Sequence, residues 1–436
     1  MRKLIDIVTL TLVGLFSASF AANAQFTIDG QFRTRAEYRD GYKTLAQEAT
    51  YATPLVLQRS RLILGYTHEA FTFKLSGQDA RVWGQNAVNM AGSTTHIYEA
   101  WASYAFNPHL SVTVGRQELK YDDQRLMASK EFSLTGMSYD AALLKYNNKE
   151  TSTSFHLGAM INNNGQDVVL TSYAGALFKY MTFVWFSKPL SDALAVNAIN
   201  FLDVTQNTGD PHIMYARNTI GGNAIVNAQS LVGGQFGAYY QFGNAQRVGA
   251  FTSTKIGAYA FNASIWVKPA NKLSVTATVD AYSGQDWSDA TPSKKTSFNR
   301  LLNAGHAHLG FMDYFTSATL SEVSGAGLHN YFLRADYKVS EKSSVQATVN
   351  YFMLSKSYLP GGTKVDKGLG TEFDFVFNYK VAKSFAIQAA WMFMLPTETL
   401  EAIQAVTPDT GEFSHFAYIS LNFTPNFLKW SKPVGE

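Results

Sequence analysis

Apolar and polar side chains alternate with a period of two residues almost from one end of the chain to the other. In "QFTIDGQFRTRAEYRD", Phe26, Ile28, Phe32, Ala36 and Tyr38 fall on one face. Asp29, Gln31, Arg33, Arg35, Glu37 and Arg39 fall on the other. "GTEFDFVFNYK" sets Phe373, Phe375, Phe377 and Tyr379 against Glu372, Asp374, Asn378 and Lys380. "HNYFLRADYKV" sets Tyr331, Leu333, Ala335, Tyr337 and Val339 against Asn330, Arg334, Asp336 and Lys338. A period of two is that of a strand, because successive Cβ atoms point to opposite sides of a sheet. A soluble sandwich also alternates, but its core side seldom repeats so uniformly over a whole chain. An apolar band facing lipid beside a wet lumen explains the pattern directly. The expected fold class is all-β: a transmembrane antiparallel β-barrel of about 18 strands.

The N-terminus places the chain beyond the inner membrane. Arg2 and Lys3 precede a mostly apolar stretch, Leu4 to Phe16, and small residues end in Ala22-Asn23-Ala24. That is the layout of a secretory signal peptide, with cleavage expected after Ala24. Residues 25–436 then form one barrel domain, with no plug domain ahead of its first strand. The chain has no cysteine, which removes disulfides, thiolate metal sites and thiol nucleophiles. It is 14% aromatic, with 31 Phe and 23 Tyr, and its mature part has no apolar run long enough for a membrane helix. This combination is that of a protein of the Gram-negative outer membrane. The formal charge of +3 falls to +2 when Arg2, Lys3 and Asp6 leave, so attraction for anions must come from local placement of charge.

Connections alternate between short and long. "FNPHL", "SKPLSD", "VKPANKL", "KVSEKS" and "KVAKS" are tight turns of one kind, expected on the periplasmic side together with both termini. Segments 41–54, 85–93, 118–137, 163–175, 287–325 and 357–368 are longer and are expected at the outer end. Segment 287–325 carries Leu301, Leu302, Leu309, Phe311, Met312, Tyr314 and Phe315. That is too much apolar mass for a free loop, and it is expected to fold over or into the lumen.

The stretch "GRQELKYDDQRL", Gly115 to Leu126, crowds six charges into twelve residues of a chain that is 16% charged. It follows the uncharged "LSVTV", whose Leu110, Val112 and Val114 face lipid. Alternation breaks at Gly115, as at a bulge or where a strand rises past the hydrocarbon. "SGQDARVWGQ" shows the same break, since Asp79 and Arg81 continue the phase of Phe71, Phe73 and Leu75. Arg116, Glu118, Arg125, Asp79 and Arg81 therefore belong to charged cuffs at the outer rim or turned into the lumen.

Taken in order, "RSRLILGYTHEAFTFKLSGQDARVWGQ", "YEAWASYAF", "VGRQELKYDDQRL" and "SYDAALLKY" resemble the alginate-export family of outer-membrane barrels. "GHAHLGFMDYF" and "LGTEFDFVFNYKVAKS" are similar to its C-terminal half. The resemblance implies a single-chain barrel of 18 strands with an electropositive pore for polyuronate, in which Arg59, Arg61, Arg81, Arg116 and Arg125 occupy motif positions. The tail "LKWSKPVGE" departs from the usual ending on an aromatic strand residue.

The residues support anion handling on their own. Arg33, Arg35 and Arg39 share a face of strand one, and Arg59 and Arg61 share a face of strand two. Lys74 extends this wall on strand three, and Arg334 adds a lumen charge on a later strand. A guanidinium fork matches a carboxylate and stays charged at every relevant pH. The competing reading is that the wall merely pairs with Asp29 and Glu37. His306, His308 and Asp313 form only a weak metal pattern, and no metal or other cofactor is expected. No nucleophile elbow, zinc-protease helix or phosphate loop is present, so no catalytic residue is assigned. The expected function is a passive channel for anionic polysaccharide or oligosaccharide. A general porin for small solutes and a barrel enzyme are the alternatives. Expected partners are the saccharide, outer-membrane lipid and periplasmic export or assembly proteins, with no nucleic acid.

Overall fold

A computed structural model describes residues 24–48, 51–85, 94–166, 178–207, 209–246, 254–316, 325–359, 362–406 and 412–431. The expected leader up to residue 23, and most of segments 85–93 and 163–175, lie outside these described residues. The first half of the chain forms β1 (Gln25–Asp40), β2 (Thr53–His68), β3 (Phe71–Val82), β4 (Thr95–Ala105), β5 (Leu110–Gln117), β6 (Tyr139–Asn148), β7 (Thr153–Ile161), β8 (Tyr180–Ser191) and β9 (Leu194–Gln206). The second half forms β10 (Met214–Val226), β11 (Val232–Asn244), β12 (Lys255–Ala270), β13 (Leu273–Tyr282), β14 (Leu328–Lys338), β15 (Ser343–Leu354), β16 (Gly368–Ala382), β17 (Phe385–Pro396), β18 (Ser414–Phe423) and β19 (Asn426–Ser431).

Neighbours in sequence pair antiparallel, and the last stave returns to the first. β18 pairs with the upper half of β1, from Phe32 opposite Phe423 to Asp40 opposite His415. β19 pairs with the lower half, Phe26 opposite Trp430 among them. The two are one stave interrupted at Thr424-Pro425, where proline has no N–H for the ladder. Gly30 N–H donates to the Pro425 carbonyl across this break at 2.9 Å. The result is a closed barrel of 18 staves, and closure leaves no unpaired sheet edge in lipid. The unusual tail thus helps to close the barrel through Trp430, within its described part.

The short turns lie at one end, Glu69-Ala70 and Lys383-Ser384 among them, and the long segments at the other. Outward positions carry the belt: Tyr104, Phe236, Ile265, Leu333, Phe375 and Trp391 are all exposed. The inner face corrects the expectation of a lumen that is wet all round. Leu143, Met160, Phe183 and Phe201 point inward and are buried. They join Tyr121, Leu126 and Met127 from the segment after β5, and Leu302, Leu309, Met312, Tyr314 and Phe315 from the segment after β13. Each such side chain taken from water contributes about 1.5–3 kcal/mol. Ordering backbone costs about 1–2 kcal/mol per residue, so segments without this apolar mass would stay outside.

Segment 118–137, expected at the outer end, therefore turns into the barrel. The described part of 287–325 does so too, as its composition implies. The two segments meet where Met127 and Leu302 form a parallel bridge, with Ala128 N–H donating to the Leu302 carbonyl at 3.1 Å. Gly310 permits the wall contact of the second segment. Its φ is +80°, and a Cβ there would lie 2.5 Å from the Glu372 carboxylate of β16.

Candidate functional site

Alternation on β1 and β2 sends Arg33, Arg35, Arg39, Arg59 and Arg61 to the inner face, while Phe32, Tyr38 and Leu62 stay exposed outside. The register places Arg33 opposite Arg59, so the guanidinium groups form one patch. Like charges this close need acceptors, and the inserted segment supplies them. A turn closed by Ser133 N–H donating to the Lys130 carbonyl at 3.0 Å carries Glu131 and Phe132 at its tip. Arg59 Nη2 donates to Glu131 Oε2 at 2.6 Å, and Arg61 Nη1 to Oε1 at 3.1 Å. The Tyr98 hydroxyl adds a bond of 2.8 Å to Glu131 Oε1. Arg33 donates to the carbonyls of Glu131 and Ser133 at 2.6 and 2.7 Å, and Arg35 to that of Phe132 at 2.8 Å.

Glu37 is the second acid. It takes Arg35 Nε and Arg39 Nη2, each at 2.5 Å. Asp29 accepts from Asn426 at 2.6 Å instead of from an arginine. Pairing within the wall therefore accounts for Arg35 and Arg39 only. The partner of Arg59 and Arg61 comes from 70 residues or more along the chain. Aromatic rings cover the tip. The Arg35 guanidinium lies 4.0 Å from the Phe132 centroid, and His306 stacks on that ring with centroids 3.4 Å apart.

Glu118 sits beside the same cluster, sharing the single Tyr98 hydroxyl proton with Glu131 at 2.7 Å and pairing with Lys120 at 2.7 Å. Lys74 on β3 faces inward and pairs with Glu99. Tyr98 and Glu99 are consecutive yet both buried, because the β3–β4 register shifts between Ser76 and Gly77. Arg334 also faces inward, with its guanidinium 5.4 Å from the Phe332 ring, but four staves separate it from the wall.

Other expected pore residues stand elsewhere. The ladder runs through Gly115 without a shift, so Arg116 keeps the outward phase of Val114 and pairs with Asp140 at 2.7 Å outside the barrel. Gly115 has a φ of +126°, and a Cβ would lie 2.3 Å from the Ala100 carbonyl oxygen. Close backbone approach, not a bulge, explains this glycine. Asp79 and Arg81 likewise keep the outward phase and pair with each other at 2.7 Å. None of these three charges lines the lumen. Arg125 is inside but sealed, held by Asp123 and by the fully buried Asp280 of β13 at 2.8 Å. It is a strut for the inserted segment. His306 bonds Asp313 at 2.9 Å and His308 the Asp123 carbonyl at 2.8 Å, so the two histidines serve separate partners. Burial and then Arg125 push the His308 imidazole down to about 4.

Two cavities meet at the turn tip. One, of about 670 Å³, lies toward the short-turn end and is lined by Arg33, Arg59, Lys338, Lys342, Lys380 and Lys383. The other, of about 550 Å³, lies toward the long-segment end and is lined by Arg39, Lys43, Lys120 and Lys130. Arg35, Glu131 and Phe132 line both. The arrangement is a pair of cation-lined cavities along β1 and β2 that adjoin at a narrow point, Glu131-Phe132.

Burial alone would push the Glu131 carboxyl up, but Arg59 and Arg61 outweigh it and hold the group at about 2. A carboxyl held below its ordinary 4.5 contributes fully above that value, and the contribution is lost as pH falls through about 2. The difference in thermal stability between the wild type and Glu131→Gln should therefore stay constant between about pH 8 and pH 5. It should shrink below about pH 4.5. A difference that already collapses near neutrality would contradict this ion pair.

Residues 24–161 match the family described as alginate export. They span β1 to β7 and the inserted turn, whereas the stretches of the C-terminal half that resemble the family lie outside this match. No curated protein matches the chain. Among solved structures, OccAB1 of Acinetobacter baumannii superposes with a TM-score of 0.60 at 13% identity, covering 93% of this chain and 97% of that one. OccK5 (OpdH) of Pseudomonas aeruginosa gives 0.59 at 11% identity, covering 94% and 100%. OpdK of Pseudomonas aeruginosa, solved with vanillate, gives 0.59 at 9% identity, covering 93% and 99%. At such identities the likeness is one of fold. With the lipid-facing belt, these matches identify the chain as an 18-stave β-barrel of the Gram-negative outer membrane, similar over residues 24–161 to the alginate-export family.

Proposed function

We propose that the protein is a passive channel for anionic saccharides, which move along the arginine wall of β1 and β2. The observation that carries this reading is the excess of cations at the narrow point. Arg33, Arg35, Arg39, Arg59 and Arg61 face Glu37, Glu131 and, 3.9 Å from Arg61, Glu118. Among the described residues Arg33 has only carbonyl partners. The low-dielectric wall focuses the field of this surplus into the route, and net protein charge matters little beside it. A row of arginines can pass a carboxylate from one site to the next without holding it tightly. Lysines at the mouths of both cavities extend the gradient of attraction. Export or assembly proteins in the periplasm would be its partners.

A second reading is a channel for small carboxylates. The narrow point between the two cavities favours it, since a polymer needs a continuous path. The fold shared with OpdK, solved with vanillate, agrees with it.

Purified channels in planar bilayers test both readings. The reversal potential in a KCl gradient should show anion preference, more strongly at low salt because exposed charges are screened beyond about 10 Å at 0.1 M. Galacturonate oligomers should block current more than neutral oligosaccharides of equal length. Block by monomers alone would leave the small-carboxylate reading, and absence of anion preference would remove both.

A further inference from the structure

We propose that Glu131 is a tethered competitor: its carboxylate occupies a carboxylate-binding site formed by Arg59, Arg61 and Tyr98, and a permeating uronate must displace it. The inference rests on the anionic-solute reading and adds the site and its regulation. Arg59, Arg61 and Tyr98 are all buried, and all three converge on one carboxylate at 2.6, 3.1 and 2.8 Å. The site offers more donors than Glu131 uses. Nε and Nη1 of Arg59 are buried without a partner among the described residues. Buried donors left idle are costly, and a guest with further oxygens would satisfy them. A uronate brings ring hydroxyls beside its carboxylate.

The occupant is placed to leave. Glu131 and Phe132 are the two central residues of a single turn, so the carboxylate and the ring can withdraw together. Leaving breaks the bonds of Arg33 and Arg35 to the carbonyls of the tip, but further anchors hold the rest of the segment: Arg125 on Asp280, the Met127–Leu302 bridge, and the Tyr139 hydroxyl on the Ala128 carbonyl at 2.7 Å. Displacing the tip therefore does not require the whole segment to leave the barrel. Glu131 and Phe132 also line both cavities, so the movement that vacates the site widens the route. Binding and opening are coupled because one turn serves both.

The experiment compares wild-type and Glu131→Gln channels in planar bilayers, titrated with sodium glucuronate. Removing the competitor should lower the half-blocking concentration about tenfold. Open conductance in KCl should rise. Unchanged or weaker block in Glu131→Gln would overturn the proposal, whatever the conductance does. Because the chain has no cysteine, Glu131→Cys gives a second test that does not depend on folding of the glutamine variant. Attaching a carboxyethyl group to the assembled channel should restore the weak wild-type block. A neutral group of similar size should not, and equal effects of the two groups would count against competition by charge. The wild-type reversal potential separates the two levels. Loss of anion preference there removes the underlying reading, whereas anion preference without tighter block in Glu131→Gln removes only the competitor.

Discussion

Replacing Arg33, Arg35, Arg59 and Arg61 together by glutamine should abolish anion preference and turn the channel weakly cation-selective. The barrel should still assemble, because these side chains contribute nothing to the ladder between β1 and β2. Glutamine keeps a polar inner face while removing four charges. The reversal of preference has a definite source. Glu131 and Glu37 remain, and in the wild type their charges are cancelled by Arg59, Arg61, Arg35 and Arg39. Without most of these partners, Glu131 becomes an uncompensated carboxylate at the narrow point. Removing one side of a buried pair costs about 3–5 kcal/mol, so the turn should also loosen and conductance should rise. Heat-modifiable migration on gels verifies assembly, and the reversal potential at low salt gives the result. An assembled variant that keeps full anion preference would remove the arginine wall from the pathway.

Excising the inner part of the segment between β13 and β14, with a short Gly/Ser linker in its place, should give the largest rise in conductance. The wall does not depend on this segment, since β13 and β14 pair directly from Leu273 opposite Tyr337 to Tyr282 opposite Leu328. The fill of the lumen does. Leu309, Met312, Tyr314 and Phe315 are completely buried, and Leu302 is the bridge on which the other inserted segment rests. Excision removes this apolar mass and one face of the Met127 contact. The segment after β5, deprived of this support, should then become accessible to protease. A folded barrel with unchanged conductance would show that the segment does not narrow the route.

Much of this architecture is readable before any fold is known. The staves, the end that carries short turns and the inward phase of Arg33, Arg35, Arg59 and Arg61 all follow from a period of two, which is local geometry. Arg116 and Asp79–Arg81 obey the same rule. Their phase already points outward, and only the abrupt change of charge argues for a place in the lumen. Tyr98 could not be placed by phase, since a register shift puts it and Glu99 on one side.

The contents of the lumen are a different matter. Alternation distinguishes two faces of a strand but cannot say whether an inward phenylalanine meets water or another side chain. Phe183 and Phe201 are buried only because distant segments pack on them. Glu131 carried no local mark of its role, as a single acid in a mixed loop more than 70 residues from Arg59. The sequence by itself determined the barrel, the end that carries its short turns and a surplus of positive charge on one inner wall, because each depends on neighbours along a strand or across one turn. Only the tertiary structure decided what that charge pairs with inside the protein and what fills the lumen beside it. Those depend on which distant loop finds enough apolar surface inside the barrel to offset the entropy of being held there.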